Sequence, residues 1–516
     1  MDFKNSIKEI ESLPDTDVII GSPPCVTFSN SNISGKADKT SGVTLTEVFL
    51  RIVAVKKHKK NSKLKAWYME NVTNSVNYLS DYYTFKDLGL TKWAKDNRIS
   101  PYKKAIILKD NQPIINSADY GSAQKRKRVI SGEIISKGKL TIPHKTHKGP
   151  KKEGQEINYV ALRKVLKGLP IPNRKNKSKK QITDPLYPTI KIKMNELTDH
   201  FYDTGLFSCE WKQSRFLKVN HPYMGRMSFP ENQKKPSRTI TATKIGTSRK
   251  AIIYRSEYNR KGNGQFRTPT VREAACIMGF PITYQFKGSE GTKWRLIGNA
   301  VCPSVSRAFA KQLRRDLKLS SIKKLRLDTV IDIEGIEDLN TYKEKTFLTP
   351  PRRNKNSRFR RHPFKDGNLT VTLSNYDIVK NEKKISKWMT SVQYGNGEGF
   401  PLHNIPSGVH KKIEPIILGF KSGKNFVEII NNGFSEKIGT SEELQMMYEQ
   451  QFSVNKLLEP TELVEEVYEI IRSFEIQNLQ FDQNGTVVFE YKTSVPAKQL
   501  YALYAISKIC SFANKN

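Results

Sequence analysis

The sequence predicts an open α/β sheet at its start, and three observations point to it. Short apolar runs of strand length alternate with longer amphipathic stretches over residues 1–140. Glycine, proline and polar residues close those runs. Chemistry-bearing side chains gather at the same places, and open α/β sheets display reactive groups at strand carboxyl ends. In chain order, "DVIIGSPPC" (Asp17–Cys25) is the first strand, ending in Gly21, two prolines and a thiol. "TLTEVFLRIVAVKKH" (Thr44–His58) follows as an amphipathic helix. "KAWYMENV" (Lys65–Val72), "YKKAIILKD" (Tyr102–Asp110) and "RKRVISGEI" (Arg126–Ile134) supply further strands or strand ends.

Composition narrows the partners. The 516 residues contain 88 Lys+Arg against 50 Asp+Glu, a net charge of +38. A chain this basic meets a polyanion, nucleic acid first, although a lysine-rich proteome raises the same count without function. A hydrophobic content of 37% is enough to build cores, which argues against wholesale disorder. Cys25, Cys209, Cys276, Cys302 and Cys510 are scattered, with no C-x-x-C pair and no histidine at ligand spacing. That pattern predicts neither a disulfide framework nor a metal site, and it suits an intracellular setting, cytoplasm or nucleoid. No run of about 18 apolar residues is present, so no membrane span is expected. The start "MDFKNSIKEIES" lacks the basic end and apolar stretch of a secretory signal.

The texture changes along the chain. From about 141 to 265 it is polar, irregular and basic, and "NRKNKSKK" (Asn173–Lys180) reads as solvated loop. Helical patterns return in "TPTVREAACIMGFP" and "GNAVCPSVSRAFAKQLRRDL". "TPPRRNKNSRFRRHPFK" (Thr349–Lys365) is a basic linker without an acidic residue. Beyond it, hairpins are expected at "KDGNLTVTLS" and "FDQNGTVVFEYK", and helices at "TELVEEVYEIIRSF" and "PAKQLYALYAISKIC".

The chemistry can be read before any family is named. A thiol on a stiff strand-end corner is placed where a nucleophile is useful. Glu70, in "MENV", is a carboxyl group at another strand end that could stay protonated beside apolar neighbours and hydrogen-bond a heterocycle nitrogen. Arg126 and Arg128 lie two apart in "QKRKR", so an extended backbone projects both planar forks to one side, where carbonyl or phosphate oxygens suit them.

Taken in order, "GSPPC" (21–25), "ENV" (70–72), "DYGSAQKRKR" (119–128), "RTPTVREAACIMGFP" (267–281) and "GNAV" (298–301) resemble the motifs of the DNA cytosine-5 methyltransferase family, over roughly residues 2–318. The resemblance implies a Rossmann-like methyltransferase domain, incomplete at its N-terminus, a small target-recognition domain and a separate C-terminal α+β domain. The corresponding boundaries are 1–140 and 281–321 for the catalytic part, 141–280 for target recognition, 322–365 for the linker and 366–516 for the last domain. It implies that Cys25 adds to C6 of a cytosine swung out of duplex DNA, making C5 nucleophilic toward the methyl group of S-adenosylmethionine. Glu70 then donates to N3, Arg128 binds O2, and Arg126 biases the site electropositively. Ser29 resembles a phosphate contact of the same loop. Asp2, Pro24, Asn299 and Val301 border the cofactor by the same likeness, and no metal is required. In "KPSRTITATKIGTSRKAI" (Lys235–Ile252), Arg238, Lys244, Thr247, Ser248 and Arg249 are offered to a DNA groove; for any one of them, phosphate or solvent comes ahead of base reading. Arg272 and Glu273 are expected to organise the recognition domain rather than catalyse.

Some of the family pattern is not found. Its glycine-rich F-x-G-x-G loop and ribose-binding acid have no counterpart in this sequence, Val26 stands where glutamine is usual, and Cys302 where proline is usual. An internal start, a split gene with a second chain carrying the missing motifs, and a decayed copy are the competing explanations. The leading expectation is a methyltransferase of a restriction–modification setting acting on double-stranded DNA. The alternatives are an RNA cytosine methyltransferase and a DNA-binding subunit or remnant inactive without a separate cofactor segment. Asp482, Glu490 and Lys492 faintly resemble a nuclease D…E-x-K site, but a plain hairpin is the expectation there.

Overall fold

The computed structural model describes residues 2–24, 28, 39–148, 157–172, 180–219, 225–320, 342–349, 351, 361–366, 369–380, 382–394, 402–450, 454, 456–474, 476 and 495–515. Two compact units emerge. The first comprises Met1–Asp203, Asn232–Lys244 and Pro269–Lys343; the second comprises Thr204–Glu231, Ile245–Thr268 and Glu344–Asn516.

The first unit opens with α1 (Ile7–Ser12), β1 (Val18–Gly21), α2 (Lys39–His58) and β2 (Ala66–Asn71). It continues through β3 (Tyr82–Thr84), α3 (Thr91–Asp96), β4 (Lys104–Ile107), β5 (Ile114–Asn116) and β6 (Lys127–Ile134). Its sheet has the order β1-β2-β6-β5, parallel between β1 and β2 and antiparallel across the other two pairs. β2 reads "AWYMEN", and its alternation is decided by period-2 geometry. Trp67 and Met69 enter a core with Leu50, Val53 and Ala54 of α2, while Tyr68 meets Phe309 edge-on, ring centroids 5.8 Å apart. Phe309 belongs to the later helix Pro303–Asp316, so helices cover both faces, a Rossmann-like α/β arrangement. Small elements β7 (His147–Lys148), β8 (Ile157–Asn158), α4 (Leu162–Gly168), β9 (Gln181–Thr183) and β10 (Lys191–Lys193) follow.

The chain then contributes α5 (Ser208–Val219), β11 (Tyr254–Arg255) and β12 (Phe266–Arg267) to the second unit. Here Leu206, Trp211 and Ile253 form a small core with Phe229, Ala251 and Phe266. Back in the first unit come α6 (Val271–Met278), α7 (Glu290–Asn299) and α8 (Pro303–Asp316). α6 starts on a capping box: the Thr270 hydroxyl accepts from the Glu273 amide at 3.1 Å, and the Glu273 carboxylate accepts from the Thr270 amide at 2.9 Å. It ends at Gly279, whose φ of 95° is the left-handed C-cap conformation glycine adopts without penalty.

The rest of the second unit is α+β. β13 (Arg361–Asp366), β14 (Leu369–Lys380), β15 (Lys383–Tyr394) and β16 (Leu402–Asn404) make an antiparallel sheet in sequence order, with the expected "KDGNLTVTLS" hairpin joining the first two. Among the described residues, α9 (Val409–Leu418), α10 (Gly423–Asn431), α11 (Ser441–Gln450), α12 (Pro460–Ser473) and α13 (Ala497–Lys515) follow. α13 is apolar nearly all round because it is the core: Leu500, Tyr501, Leu503, Tyr504, Ile506 and Ile509 are each at most 1% exposed. The hairpin "FDQNGTVVFEYK", with Asp482, Glu490 and Lys492, lies outside the described residues, as does most of "NRKNKSKK". Among the described residues, no helix is long and apolar enough to cross a membrane.

Candidate active site

The site is built where β1 and β2 end side by side. Parallel register sets Gly21 against Met69, so the Ser22-Pro23-Pro24 corner leaves the sheet beside Glu70. Gly21 is fixed by close approach, since a Cβ there would fall 2.2 Å from Phe49 Cε2. The Ser22 hydroxyl donates to Glu70 Oε2 at 2.6 Å, and Arg128 Nε donates to Glu70 Oε1 at 3.0 Å. Antiparallel pairing of β2 with β6 brings Arg128 there, by setting Glu70 against Ile130 and Asn71 against Val129. Glu70 therefore sits between two donors rather than among apolar neighbours alone. Asn71 beside it turns Oδ1 to the Val72 amide at 2.8 Å, and its buried Nδ2 has no partner among the described residues.

Cys25 and Ser29 lie outside the described residues. Phe28 in the same loop is described: its ring stacks on Tyr78 at 5.6 Å and its carbonyl accepts from Asn74 Nδ2 at 3.1 Å. Phe28 is thus tied to the turn that follows "ENV". The four other cysteines are all buried. Burial pushes the thiols of Cys276 and Cys510 up to about 12 and raises that of Cys302 as well. A buried, protonated thiol is a poor nucleophile, so none of these three suits attack on a substrate.

Arg126 and Arg128 are treated differently. Arg128 reaches the rim, whereas Arg126 is 2% exposed and donates to Ile240 O at 3.0 Å and Gly298 O at 2.8 Å. Gln124 works beside it, accepting from the Ile240 amide at 2.6 Å and donating to Met278 Sδ at 2.7 Å. Residues 240–242 are consequently threaded between "QKRKR" and "GNAV". The fit is tight: a Cβ on Gly298 would lie 2.5 Å from Ala242 Cα and Thr241 O, and Trp294 Nε1 donates to that same oxygen at 3.0 Å.

The remaining expected residues are dispersed. Asp2 is exposed, and its carboxylate accepts from Asn5 through the backbone amide at 3.1 Å and Nδ2 at 2.9 Å; the hydrogen bonds to Asn5 lower its pKa. Pro24 and Asn299 are exposed, and Val301 is half-buried. Lys244 is engaged by Glu290 at 2.7 Å and lies 5.3 Å from the Trp294 ring centroid. Arg238, half-buried, and Lys244 belong to the first unit, Thr247, Ser248 and Arg249 to the second. The Ser248 carbonyl accepts from Ser214 Oγ, and Arg249 donates to Met227 Sδ at 3.0 Å and to the Gly225 carbonyl. Arg272 and Glu273 hold structure, Arg272 donating to Thr198 O at 3.1 Å and Tyr284 O at 2.7 Å. Ser22 and Gln124 escaped the sequence reading. Both stand inside quoted motifs, but a serine or glutamine there has no chemical signature until its partner is known.

The chain belongs to the family of C-5 cytosine-specific DNA methylases, whose model matches residues 2–315. It is 24% identical over 345 residues to the type II methyltransferase M.DdeI of Desulfomicrobium norvegicum, covering 58% of this chain and 73% of that one. To M.FnuDI of Fusobacterium nucleatum it is 25% identical over 339 residues, covering 64% and 87%. The crystal structure of S. pombe Dnmt2 methyltransferase aligns at 16% identity over 62% of this chain and 84% of that one, with a TM-score of 0.33, and the family assignment does not rest on it. Members of this family methylate C5 of cytosine in DNA.

Proposed function

We propose that Cys25, Glu70 and Arg128 carry this transfer on a cytosine flipped out of duplex DNA, with S-adenosylmethionine as donor, in a type II restriction–modification setting. The observation that supports it best is the Ser22–Glu70–Arg128 cluster at adjoining strand ends, next in the chain to the Pro-Pro-Cys corner. Arg128 holds the Glu70 carboxylate by Nε and the Lys127 carbonyl by Nη1, and its remaining N–H groups offer donors to a base carbonyl. Glu70 is placed to share a proton with N3. Attack of the Cys25 thiolate on C6 forms a C–S bond and moves electron density to C5. After methylation, loss of the C5 proton re-forms the C5–C6 double bond and expels the thiolate. Arg126 supports the site from behind by fixing residues 240 and 298.

The cofactor residues fit in part. Asp2 keeps lone pairs open to solvent, Asn299 presents an exposed amide, and Pro24 and Val301 offer apolar surface to a purine or a methionine chain. Bound there, S-adenosylmethionine supplies an electrophilic methyl group on sulfur. A glycine-rich loop at a helix start is how such folds cradle a cofactor of this kind, and no glycine stands between Met1 and Ile20.

The test is trapping and transfer on duplexes containing 5-fluorocytosine or cytosine, with residues 1–516 alone and with an F-x-G-x-G segment of a relative supplied. Cys25→Ala should abolish both transfer and the covalent adduct. Undiminished transfer by Cys25→Ala would end the assignment of the nucleophile.

A further inference from the structure

The long hairpin of the second unit runs past its own sheet. Among the described residues, β13 pairs with β14 only as far as Arg361 against Ser374, and β16 pairs with β15 only at residues 391–393. β14 and β15 continue together through Tyr376–Lys387, Ile378–Ile385 and Val379–Lys384 to Lys380–Lys383. The base is anchored. Asn375 Nδ2 donates to Gln445 Oε1 at 2.7 Å, Trp388 Nε1 donates to the Ser441 carbonyl at 3.1 Å, and Lys387 Nζ reaches the Asn514 carbonyl at 3.2 Å. Beyond that anchor the ribbon stands in solvent: Val379 is 72% exposed and Tyr376 37%, and Lys380, Lys383 and Lys384 are exposed. At about 3.3 Å per residue the five positions from 376 to 380 extend roughly 15 Å.

We infer that this ribbon tip is a DNA-contacting arm, which lays Lys380, Lys383 and Lys384 against the phosphates of the duplex being methylated. It rests on the reading of the chain as a DNA methyltransferase. Charge complementarity chooses the occupant. Three ammoniums project from a twisted two-stranded ribbon, and the major groove, about 12 Å wide, admits such a ribbon. Alternation puts Lys380 and Lys383 on one face with Tyr376 and Lys384 on the other with Val379, so both walls of a groove can be met. The acidic residues nearby do not cancel this. Asp377 accepts from Ser386 Oγ at 3.2 Å, and Glu382 is the one other carboxylate of the tip, in the turn at φ 61°. The competing explanation is that edge lysines merely prevent strand-to-strand aggregation.

Two variants of the full chain, moving in opposite directions, decide between them in salt-dependent DNA-binding titrations. Each phosphate contact contributes about 0.9 to the slope of log affinity against log salt. The triple variant Lys380→Gln, Lys383→Gln, Lys384→Gln should flatten that slope by about 2 to 3. Glu382→Lys should steepen it by about 1. Unchanged slopes in both overturn the arm, most plainly if the triple variant self-associates instead. A wild-type chain whose binding ignores salt would remove the DNA reading itself, which is a separate result.

Discussion

The first unit contains two clusters of opposite charge that look alike in a contact table and differ in what surrounds them. At the strand ends, Glu70 meets Arg128 and Ser22, with the Arg128 side chain 19% exposed. Between α6 and α7, Asp199 meets Lys293 at 2.6 Å and Arg272 at 3.9 Å, and all three side chains are at most 1% exposed. The buried cluster spends its donors on the fold: Arg272 serves two carbonyls, and its own amide donates to Asp199 O at 3.0 Å. The rim cluster keeps guanidinium donors within reach of a ligand. An ion pair signals chemistry when its partners remain accessible and architecture when they do not.

The largest expected effect breaks the buried cluster. Asp199→Ala leaves the Lys293 ammonium buried without its anion, which costs about 3–5 kcal/mol. Urea denaturation should show that loss, and the double variant Asp199→Leu, Lys293→Met should recover most of it. An Asp199→Ala chain as stable as the wild type would erase the distinction.

Arg128→Ala should behave in the opposite manner. Its loss should raise the barrier to methyl transfer by about 2–4 kcal/mol. Stability should move by no more than about 1 kcal/mol, because Glu70 keeps the Ser22 hydroxyl and can rehydrate. Single-turnover transfer, read beside a denaturation curve, checks both halves. A variant that loses stability but not rate would place Arg128 with the architecture.

Glu465 sharpens the contrast as a third case, a partly buried carboxyl among other carboxylates. It lines a cleft in the second unit with Arg215, Val219, Leu458, Glu462, Glu466 and Glu469. Burial pushes its pKa up to about 7, opposed by the charges of Arg215 and Lys212 and assisted by Glu462 and Glu469. The folded chain thus holds this proton to higher pH than the unfolded chain does. Its contribution is fully present below the ordinary carboxylate range and is lost as pH rises from about 4.5 to 7. After solvent screening the loss is about 1–2 kcal/mol. Glu465→Gln should flatten that part of the stability–pH curve, and an unaltered curve would assign the pH dependence elsewhere.

Much of this was legible before any coordinates. The period-2 runs became β1, β2, β4 and β6, because strands flanked by turn residues announce themselves locally. Glu70 and Arg128 could be paired from motif order, since family likeness carries information that spacing alone does not. The antiparallel insertion of β6 beside β2 was not legible, because strand order is a long-range property. The division of labour between Arg126 and Arg128 was hidden as well. Two arginines in one extended run look equivalent until Ile240 and Gly298 turn their carbonyls toward one of them.

The threading of residues 240–242 bears on how such enzymes exchange specificity. A recognition segment is usually imagined as a cassette that can be cut out and replaced. Here the strip Ile240–Ala242 is gripped by Arg126, Gln124, Trp294 and the bare backbone of Gly298. A graft that replaces the strip must bring a sequence that repeats those hydrogen bonds and leaves room at Gly298.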